Sequence, residues 1–227
     1  MWWWIDIESH EQAEPGGSAF FLCSFAAFGA SSREYVHSRM ESNTKPIRRV
    51  CVFCGASTGR RPEYIAAAQE LGRQLAERDI ILVYGGGRAG LMGTIADAAL
   101  ASGGQVIGVI TKLLQDRELA HTGATELHVV DTMHQRKMMM ATLADAFVAL
   151  PGGLGTLDEI FEILAWAQLG IHNKPMGLLN TCHFYDKLWE FIDQIDQENF
   201  LRLNHRADII FEADVTRMVD RLARSVR

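Results

Sequence analysis

The sequence predicts an α/β protein in which a doubly wound, mostly parallel sheet is flanked by helices. From Arg48 onwards, short apolar runs typical of buried strands alternate with longer segments whose apolar residues recur at helical spacing. Two glycine-rich segments each follow a strand pattern and open a helix pattern. No internal repeat or low-complexity linker interrupts this alternation. In such folds ligands bind beyond the carboxyl ends of the strands, so we expect functional residues in the loops there.

The predicted elements follow one another in a regular order. Strand patterns fall at residues 50–53, 80–84, 106–110, 127–130, 146–150, 176–179 and 209–211. Helix patterns fall at residues 64–78, 91–101 and 185–198, with further helices starting near residues 133, 156 and 215. Pro62 suits the first turn of the first helix. Thr132 and Gln135 have the spacing of a capping box at the start of the helix near residue 133.

Length and composition are those of one soluble globular domain. The chain has 227 residues, of which 48% are hydrophobic, and can therefore bury one sizeable core. Its formal charge of −6 disfavours nucleic acid or an anionic membrane as the main partner, although a local basic patch stays open. The four cysteines are too scattered for a disulfide framework, and we expect a reducing, cytoplasmic location.

Residues 1–45 differ from the rest of the chain, and we expect an N-terminal extension outside the fold. Acidic residues at 6–14 precede an apolar patch at 19–30 that is too short to span a bilayer. This order of charges fits neither a signal peptide nor an organelle transit peptide. We expect residues 46–227 to form a single domain.

The most informative stretch is residues 150–159, where a strand pattern changes through a glycine turn into a helix. Pro151 ends the strand, and three glycines follow it, Gly152, Gly153 and Gly155. We expect these glycines to turn the chain with positive φ and to leave amide N–H groups open to a ligand. The N-terminus of the following helix would add unpaired donors and the positive end of the helix dipole, which suit a phosphate.

Thr156 and Glu159 allow two interpretations. Thr156 is expected to cap the helix, and Glu159 then carries the best candidate for a reacting carboxylate. Alternatively the two residues form a capping box, in which Glu159 only bonds back to the main chain. The two roles differ in magnitude, because a lost cap costs about 1 kcal/mol of stability whereas a lost transition-state contact costs on the order of a hundredfold in rate.

A second glycine loop, Gly85-x-Gly87-x-x-Gly90, has the spacing of a dinucleotide fingerprint. That fingerprint needs an acidic residue about twenty positions on, at the end of the next strand. Residues 109–112 contain no acid, so NAD binding is disfavoured. The loop is therefore predicted to bind phosphate, with Gly86 and Gly87 as the candidates, or to be simply a tight turn.

Arg136 and Lys137 fall in the first turn of their predicted helix, where cations oppose the helix dipole. A phosphate or a carboxylate such as Glu159 would compensate them, although solvated surface cations are an open alternative. Glu118 lies in a polar loop, where the residues alone favour a solvated acid. The eight histidines form no pair with metal-binding spacing, so we expect no metal and no cofactor.

Taken together, four motifs closely resemble the Lonely Guy (LOG) family of cytokinin riboside 5′-monophosphate phosphoribohydrolases, long labelled possible lysine decarboxylases. They are residues 54–57 (CGAS), 85–93 (GGGRAGLMG), 133–137 (MHQRK) and 151–159 (PGGLGTLDE). The similarity runs from about Arg48 to the C-terminus. It implies a Rossmann-like nucleotide-binding catalytic domain over residues 46–227.

The resemblance implies hydrolysis of the N-glycosidic bond in N6-substituted adenosine 5′-monophosphates, with Arg136 and Glu159 as the catalytic pair. It also implies a homodimer with the site near the subunit interface. The substrate contacts it implies are Glu118, Arg136, Lys137, Gly152, Gly153, Leu154, Gly155, Thr156 and Glu159. Two alternatives remain, a nucleosidase acting on AMP or another nucleoside monophosphate and a non-catalytic molybdenum-cofactor or nucleotide carrier. The presence of both Arg136 and Glu159 disfavours the carrier.

Overall fold

Strands and helices alternate along the chain in the predicted order. The computed structural model describes residues 46–117, 119–201 and 209–225, so the expected extension over residues 1–45 and Glu118 lie outside the described part. The strands are β1 (Arg49–Phe53), β2 (Ile81–Tyr84), β3 (Val106–Thr111), β4 (Glu126–Val130), β5 (Ala146–Ala149), β6 (Met176–Leu179) and β7 (Ile209–Glu212). The helices are α1 (Pro62–Glu77), α2 (Gly90–Ala101), α3 (Lys112–Gln115), α4 (Met133–Leu143), α5 (Leu154–Gln168), α6 (Asp186–Gln197) and α7 (Val215–Arg224). The single turn α3 and a 3₁₀ turn at Thr181–His183 were not predicted.

The described strands form one sheet in the order β4-β3-β2-β1-β5-β6-β7. Each neighbouring pair is parallel, so the predicted doubly wound fold class is confirmed. The chain winds outward from β1 to β4 and then returns to place β5 on the other side of β1. The carboxyl ends of β1 and β5 therefore flank the topological switch point, where open α/β sheets bind their ligands.

The central strands are buried on both faces, which explains their continuous apolar sequences. Alternate residues of β1 enter different core clusters, Val50 and Val52 on one side of the sheet and Cys51 and Phe53 on the other. Helices α1, α2 and α7 pack on the first side, and α4, α5 and α6 pack on the second. Cys54 lies in the first cluster and thus away from Cys51, as the alternation predicts.

The predicted helix caps at Thr132 and Thr156 have different outcomes. At the start of α4, the Thr132 hydroxyl accepts from the Gln135 N–H, and the Gln135 side chain accepts from the Thr132 N–H, so this box is confirmed. At α5 the prediction is wrong, because the helix begins at Leu154 with Gly153 in the cap position. Thr156 is instead a buried residue of the first turn, 3% exposed. Glu159 is consequently free of a capping role.

The expected positive φ at the glycines after Pro151 is also wrong. None of Gly152, Gly153 and Gly155 adopts the left-handed region, which the structure uses at Gly86 and Gly90 of the other loop. Gly152 is required for a different reason, since a Cβ there would overlap the side chain of Thr156 and lie 2.9 Å from the amide nitrogen of Gly55. Close packing of the turn, not its dihedral angles, selects glycine at this position.

Candidate functional site

Three loops at the carboxyl edge of the sheet are joined by main-chain hydrogen bonds. The Gly55 N–H, after β1, donates to the Pro151 carbonyl of the turn after β5, with an N···O distance of 3.1 Å. The Gly55 carbonyl accepts from the Leu91 N–H at the start of α2, at 3.0 Å. Segments far apart in sequence therefore form one rigid rim around the switch point.

Arg136 lies at the centre of this rim, with 7% of its surface exposed. Its Nη1 donates to Glu159 Oε1 at 2.6 Å. Its Nε donates to the Val109 carbonyl at 2.9 Å, and its Nη2 donates to the Gly85 carbonyl at 3.1 Å. Main-chain carbonyls of β3 and of the loop after β2 thus hold the guanidinium so that it points at one carboxylate.

The glycine loop after β2 makes room for this arginine. A Cβ at Gly85 would overlap Nη2 of Arg136. Gly86 has a φ of 71° and packs against β3, where a Cβ would lie 3.0 Å from Ile110. A Cβ at Gly87 would lie 2.7 Å from Cε of Met92. This packing supports the tight-turn interpretation of Gly86 and Gly87.

Glu159 is a largely buried carboxylate on the second turn of α5, with 13% of its side chain exposed. Burial raises its pKa above the usual range, and the attraction and hydrogen bond of Arg136 oppose that rise. Within the described part of the chain, Glu159 Oε2 makes no hydrogen bond, so this oxygen is available to water or a ligand.

Lys137 forms a second link between α4 and α5. Its Nζ lies 3.0 Å from Glu162 Oε2 and 3.1 Å from Asp158 Oδ2, and 12% of its side chain is exposed. Burial opposes its charge, but the bonds to Glu162 and Asp158 outweigh this and raise the pKa of Lys137. Two adjacent cations of α4 therefore face three acids of α5. The sequence predicted that Arg136 and Lys137 need an anion, but it did not single out Asp158 or Glu162.

The start of α5 is open. A Cβ at Gly153 or Gly155 would meet no atom within 4 Å, and Leu154 is 85% exposed. No side chain caps this helix, so the first-turn N–H groups of residues 154–156 keep their donor capacity. This end of α5 can receive an anionic group close to Glu159.

Sequence reasoning missed Tyr185, which bonds to the main chain just before the glycine turn after β5. Its hydroxyl donates to the carbonyl of Leu150 at 2.6 Å, and the side chain is buried. An aromatic residue before a helix is an ordinary core position, so the sequence carries no signal for this contact.

Two classes of site have no support among the residues that the structure describes. No group of three or more His, Cys, Asp or Glu side chains there could hold a metal ion. Within the same residues, no helix combines the length and hydrophobicity needed to cross a membrane.

Comparisons with known proteins show which family shares these motifs. A family model described as possible lysine decarboxylase matches residues 92–222. A probable cytokinin riboside 5′-monophosphate phosphoribohydrolase of Oryza sativa subsp. japonica is 49% identical over 176 residues, covering 78% of each chain. A cytokinin riboside 5′-monophosphate phosphoribohydrolase of Arabidopsis thaliana is 48% identical over 183 residues, covering 81% of this chain and 84% of that one.

Solved structures support the same fold. The molybdenum cofactor carrier protein of Chlamydomonas reinhardtii superposes with a TM-score of 0.62 over 80% of this chain and 98% of that chain. Its sequence identity is 23%, so the likeness concerns the fold alone. The two plant enzymes, at 48% and 49% identity, are about twice as similar in sequence. The chain therefore belongs to the Lonely Guy (LOG) family, whose members are named cytokinin riboside 5′-monophosphate phosphoribohydrolases and whose family model carries the older lysine decarboxylase description.

Proposed function

We propose that the protein hydrolyses the N-glycosidic bond of N6-substituted adenosine 5′-monophosphates and releases the free cytokinin base and ribose 5-phosphate. The observation that carries this proposal is the Arg136–Glu159 pair, 2.6 Å apart, beside the uncapped start of α5. Relatives about half identical to the chain are named for this activity. We assign it to a single catalytic domain over residues 46–227.

The carboxylate of Glu159 is the proposed reacting group. Breaking a glycosidic C–N bond builds positive charge on the ribose ring, as in other oxocarbenium-like transition states. An anion beside the sugar stabilises that charge and can orient the attacking water or the ribose hydroxyls. Glu159 suits this role because Oε1 is held by Arg136 while Oε2 has no hydrogen bond within the described residues.

Arg136 is proposed to keep this carboxylate ionised and in place. Its Nε and Nη2 are occupied by the Val109 and Gly85 carbonyls, and Nη1 is occupied by Glu159. The positive charge offsets part of the desolvation of Glu159, which by itself favours the neutral acid and raises the pKa. Because these three nitrogens already donate hydrogen bonds within the protein, the geometry supports direct binding of substrate by Arg136 less strongly.

The 5′-phosphate is proposed to bind at the start of α5. The N–H groups of residues 154–156 and the positive end of the helix dipole suit an anion there. Binding energy from this remote group would position C1′ of the ribose against Glu159. Lys137 lies nearby and adds positive charge, although Asp158 and Glu162 already engage its ammonium.

Base release measured by chromatography distinguishes the candidate substrates. We expect the purified chain to release base from isopentenyladenosine 5′-monophosphate faster than from AMP. Equal or faster release from AMP would instead support a general nucleoside monophosphate hydrolase. Co-purification of a pterin without formation of ribose 5-phosphate would support the carrier alternative.

We also propose that the protein is a homodimer, with β4 and α4 at the interface. Strand β4 forms one edge of the sheet, and a groove of about 870 Å³ lies between it and α4. Apolar side chains around it are exposed, among them Val129 at 43% and Met138 at 55%. Continuous exposed apolar surface of this kind is typical of interfaces.

Sedimentation of single variants tests the dimer. We expect Met138→Glu to sediment as a monomer, because a charge in the groove could not be desolvated against a second copy. Leu169→Glu is the matched control, since Leu169 is 64% exposed and lies at the far end of α5. A wild-type monomer, or equal dissociation by both variants, would contradict the proposal.

A cytoplasmic location is proposed on the cysteines. Cys51, Cys54 and Cys182 are all free thiols in the described part of the chain, and Cys51 and Cys54 are buried. A reducing compartment maintains that state.

A further inference from the structure

Tyr185 contacts the main chain at the start of the glycine turn after β5. Its side chain is 1% exposed, and its hydroxyl donates to the Leu150 carbonyl with an O···O distance of 2.6 Å. Leu150 is the last residue before Pro151 and the glycine turn. The hydroxyl therefore fixes the position at which the chain leaves β5 for the proposed phosphate-binding end of α5.

The loop between β6 and α6 is built to hold Tyr185. Asn180 Oδ1 accepts from the Tyr185 N–H at 2.7 Å, and Asn180 Nδ2 donates to Asp186 Oδ1 at 2.6 Å. Between them, Cys182 and His183 have φ of 53° and 62°, an uncommon conformation for residues with a Cβ. Such conformations persist only where surrounding contacts determine them. The loop thus places the Tyr185 ring through several independent contacts.

Two successive carbonyls of the turn are fixed from two directions. Tyr185 holds the Leu150 carbonyl, and the Gly55 N–H holds the Pro151 carbonyl at 3.1 Å. A peptide unit is planar, so fixing the Pro151 carbonyl also fixes the direction of the Gly152 N–H. The amide groups that follow inherit this orientation. Without the Tyr185 bond, the Leu150 carbonyl would lose its donor, and the segment would be held only by the bond from the Leu150 N–H to the Phe53 carbonyl and the bond to the Pro151 carbonyl.

We propose that Tyr185 is a positioning residue for the glycine turn, acting through the Leu150 carbonyl to set the amides that receive the 5′-phosphate. The proposal rests on the proposed function for the nature of the ligand, a nucleoside monophosphate. Its distinguishing consequence is selectivity for phosphate. Loss of the hydroxyl weakens recognition of the phosphate and leaves recognition of the nucleoside unchanged.

Tyr84 supplies a matched control. It is also fully buried, 0% exposed, and it also directly precedes a glycine loop at the end of a strand. Its hydroxyl, however, has no hydrogen-bond partner within the described residues. Tyr84→Phe and Tyr185→Phe therefore remove the same atom from similar surroundings, and they differ in whether that atom holds the turn.

The kinetic test compares kcat/KM for isopentenyladenosine 5′-monophosphate with that for isopentenyladenosine. We expect Tyr185→Phe to lower the ratio of these two constants by about tenfold, chiefly through KM, as the loss of one well-formed hydrogen bond predicts. Tyr84→Phe should keep the wild-type ratio. A ratio unchanged in Tyr185→Phe, or lowered equally in both variants, would overturn the proposal.

A binding measurement separates this proposal from the proposed function. Calorimetry in a Glu159→Gln background gives the affinities for AMP and adenosine without turnover. A fall of the AMP-to-adenosine ratio in Tyr185→Phe would support the positioning role even if the wild-type chain hydrolysed nothing. Hydrolysis together with an unchanged ratio would leave the proposed function intact and remove the positioning role.

The ratio is also insensitive to partial unfolding, because a smaller folded fraction lowers the apparent affinity for both ligands by the same factor. Should Tyr185→Phe fail to fold, Asn180→Ala provides a second variant. It removes the side chain that holds the Tyr185 main chain, and we expect it to lower the same ratio. An unchanged ratio in Asn180→Ala would then count against the proposal.

Discussion

Replacing Glu159 with Gln is expected to lower hydrolysis by about a hundredfold or more while the fold and nucleotide binding persist. The amide oxygen can still accept from Arg136, so the shape of the site is kept and the negative charge is lost. A neutral group stabilises the developing positive charge of the ribose far less than a carboxylate does. Base release in a single turnover measures the chemical step, and calorimetry measures binding.

Glu63→Gln is the control for this substitution. Glu63 is an exposed acid in the first turn of α1, at the same edge of the sheet. Its replacement by Gln makes the same chemical change at a residue that does not pair with Arg136. We expect near wild-type rates in that variant. Normal turnover in Glu159→Gln would reduce Glu159 to a structural partner of Arg136.

Replacing Arg136 with Met is expected to destabilise the protein by about 3–5 kcal/mol at neutral pH, because it leaves a largely buried carboxylate without its partner. The Val109 and Gly85 carbonyls lose donors as well. Chemical denaturation followed by circular dichroism measures this loss. In the double variant with Glu159→Gln we expect part of the stability to return, since both members of the charge pair are then absent. Strictly additive losses would show that the two residues are not coupled.

The pH dependence of the Arg136→Met variant has a defined sign. Burial already raises the pKa of Glu159, and Arg136 is the main opposing influence, so its removal raises that pKa further. Because the folded-state pKa lies above the unfolded value, the protonated acid is favoured in the folded state and stability falls as pH rises between the two values. The destabilisation should therefore shrink in acid. The acid limb of kcat, which requires ionised Glu159, should move to higher pH than in the wild type.

The sequence predicted the fold because its signals are local. Apolar runs and helical periodicity need no knowledge of distant residues, and the Thr132–Gln135 capping box is complete within four positions. A physical argument predicted an anion beside Arg136 and named Glu159 as a candidate, because cations in a first helical turn oppose the helix dipole. The pairing itself spans 23 positions and becomes visible only when β1 and β5 lie side by side.

The features that the sequence did not predict depend on packing, not on local sequence patterns. The cap of α5 was misplaced because the helix begins two residues before Thr156, which packs beneath Gly152 as a buried residue of the first turn, and its sequence spacing does not reveal this packing. The sequence also did not reveal that Gly85 makes room for Arg136, because that contact joins residues 51 positions apart. Tyr185 carried no signal, because an aromatic residue before a helix is common in any core.

The anchoring of Arg136 by main-chain oxygens has a consequence for changing substrate preference. No point substitution can delete the Val109 or Gly85 carbonyl, so the charged pair stays where it is when neighbouring side chains are exchanged. Exposed positions around the opening, such as Leu154, can then be varied in libraries without displacing the reacting groups. Altered substrate preference is thus accessible by redesigning these exposed positions alone.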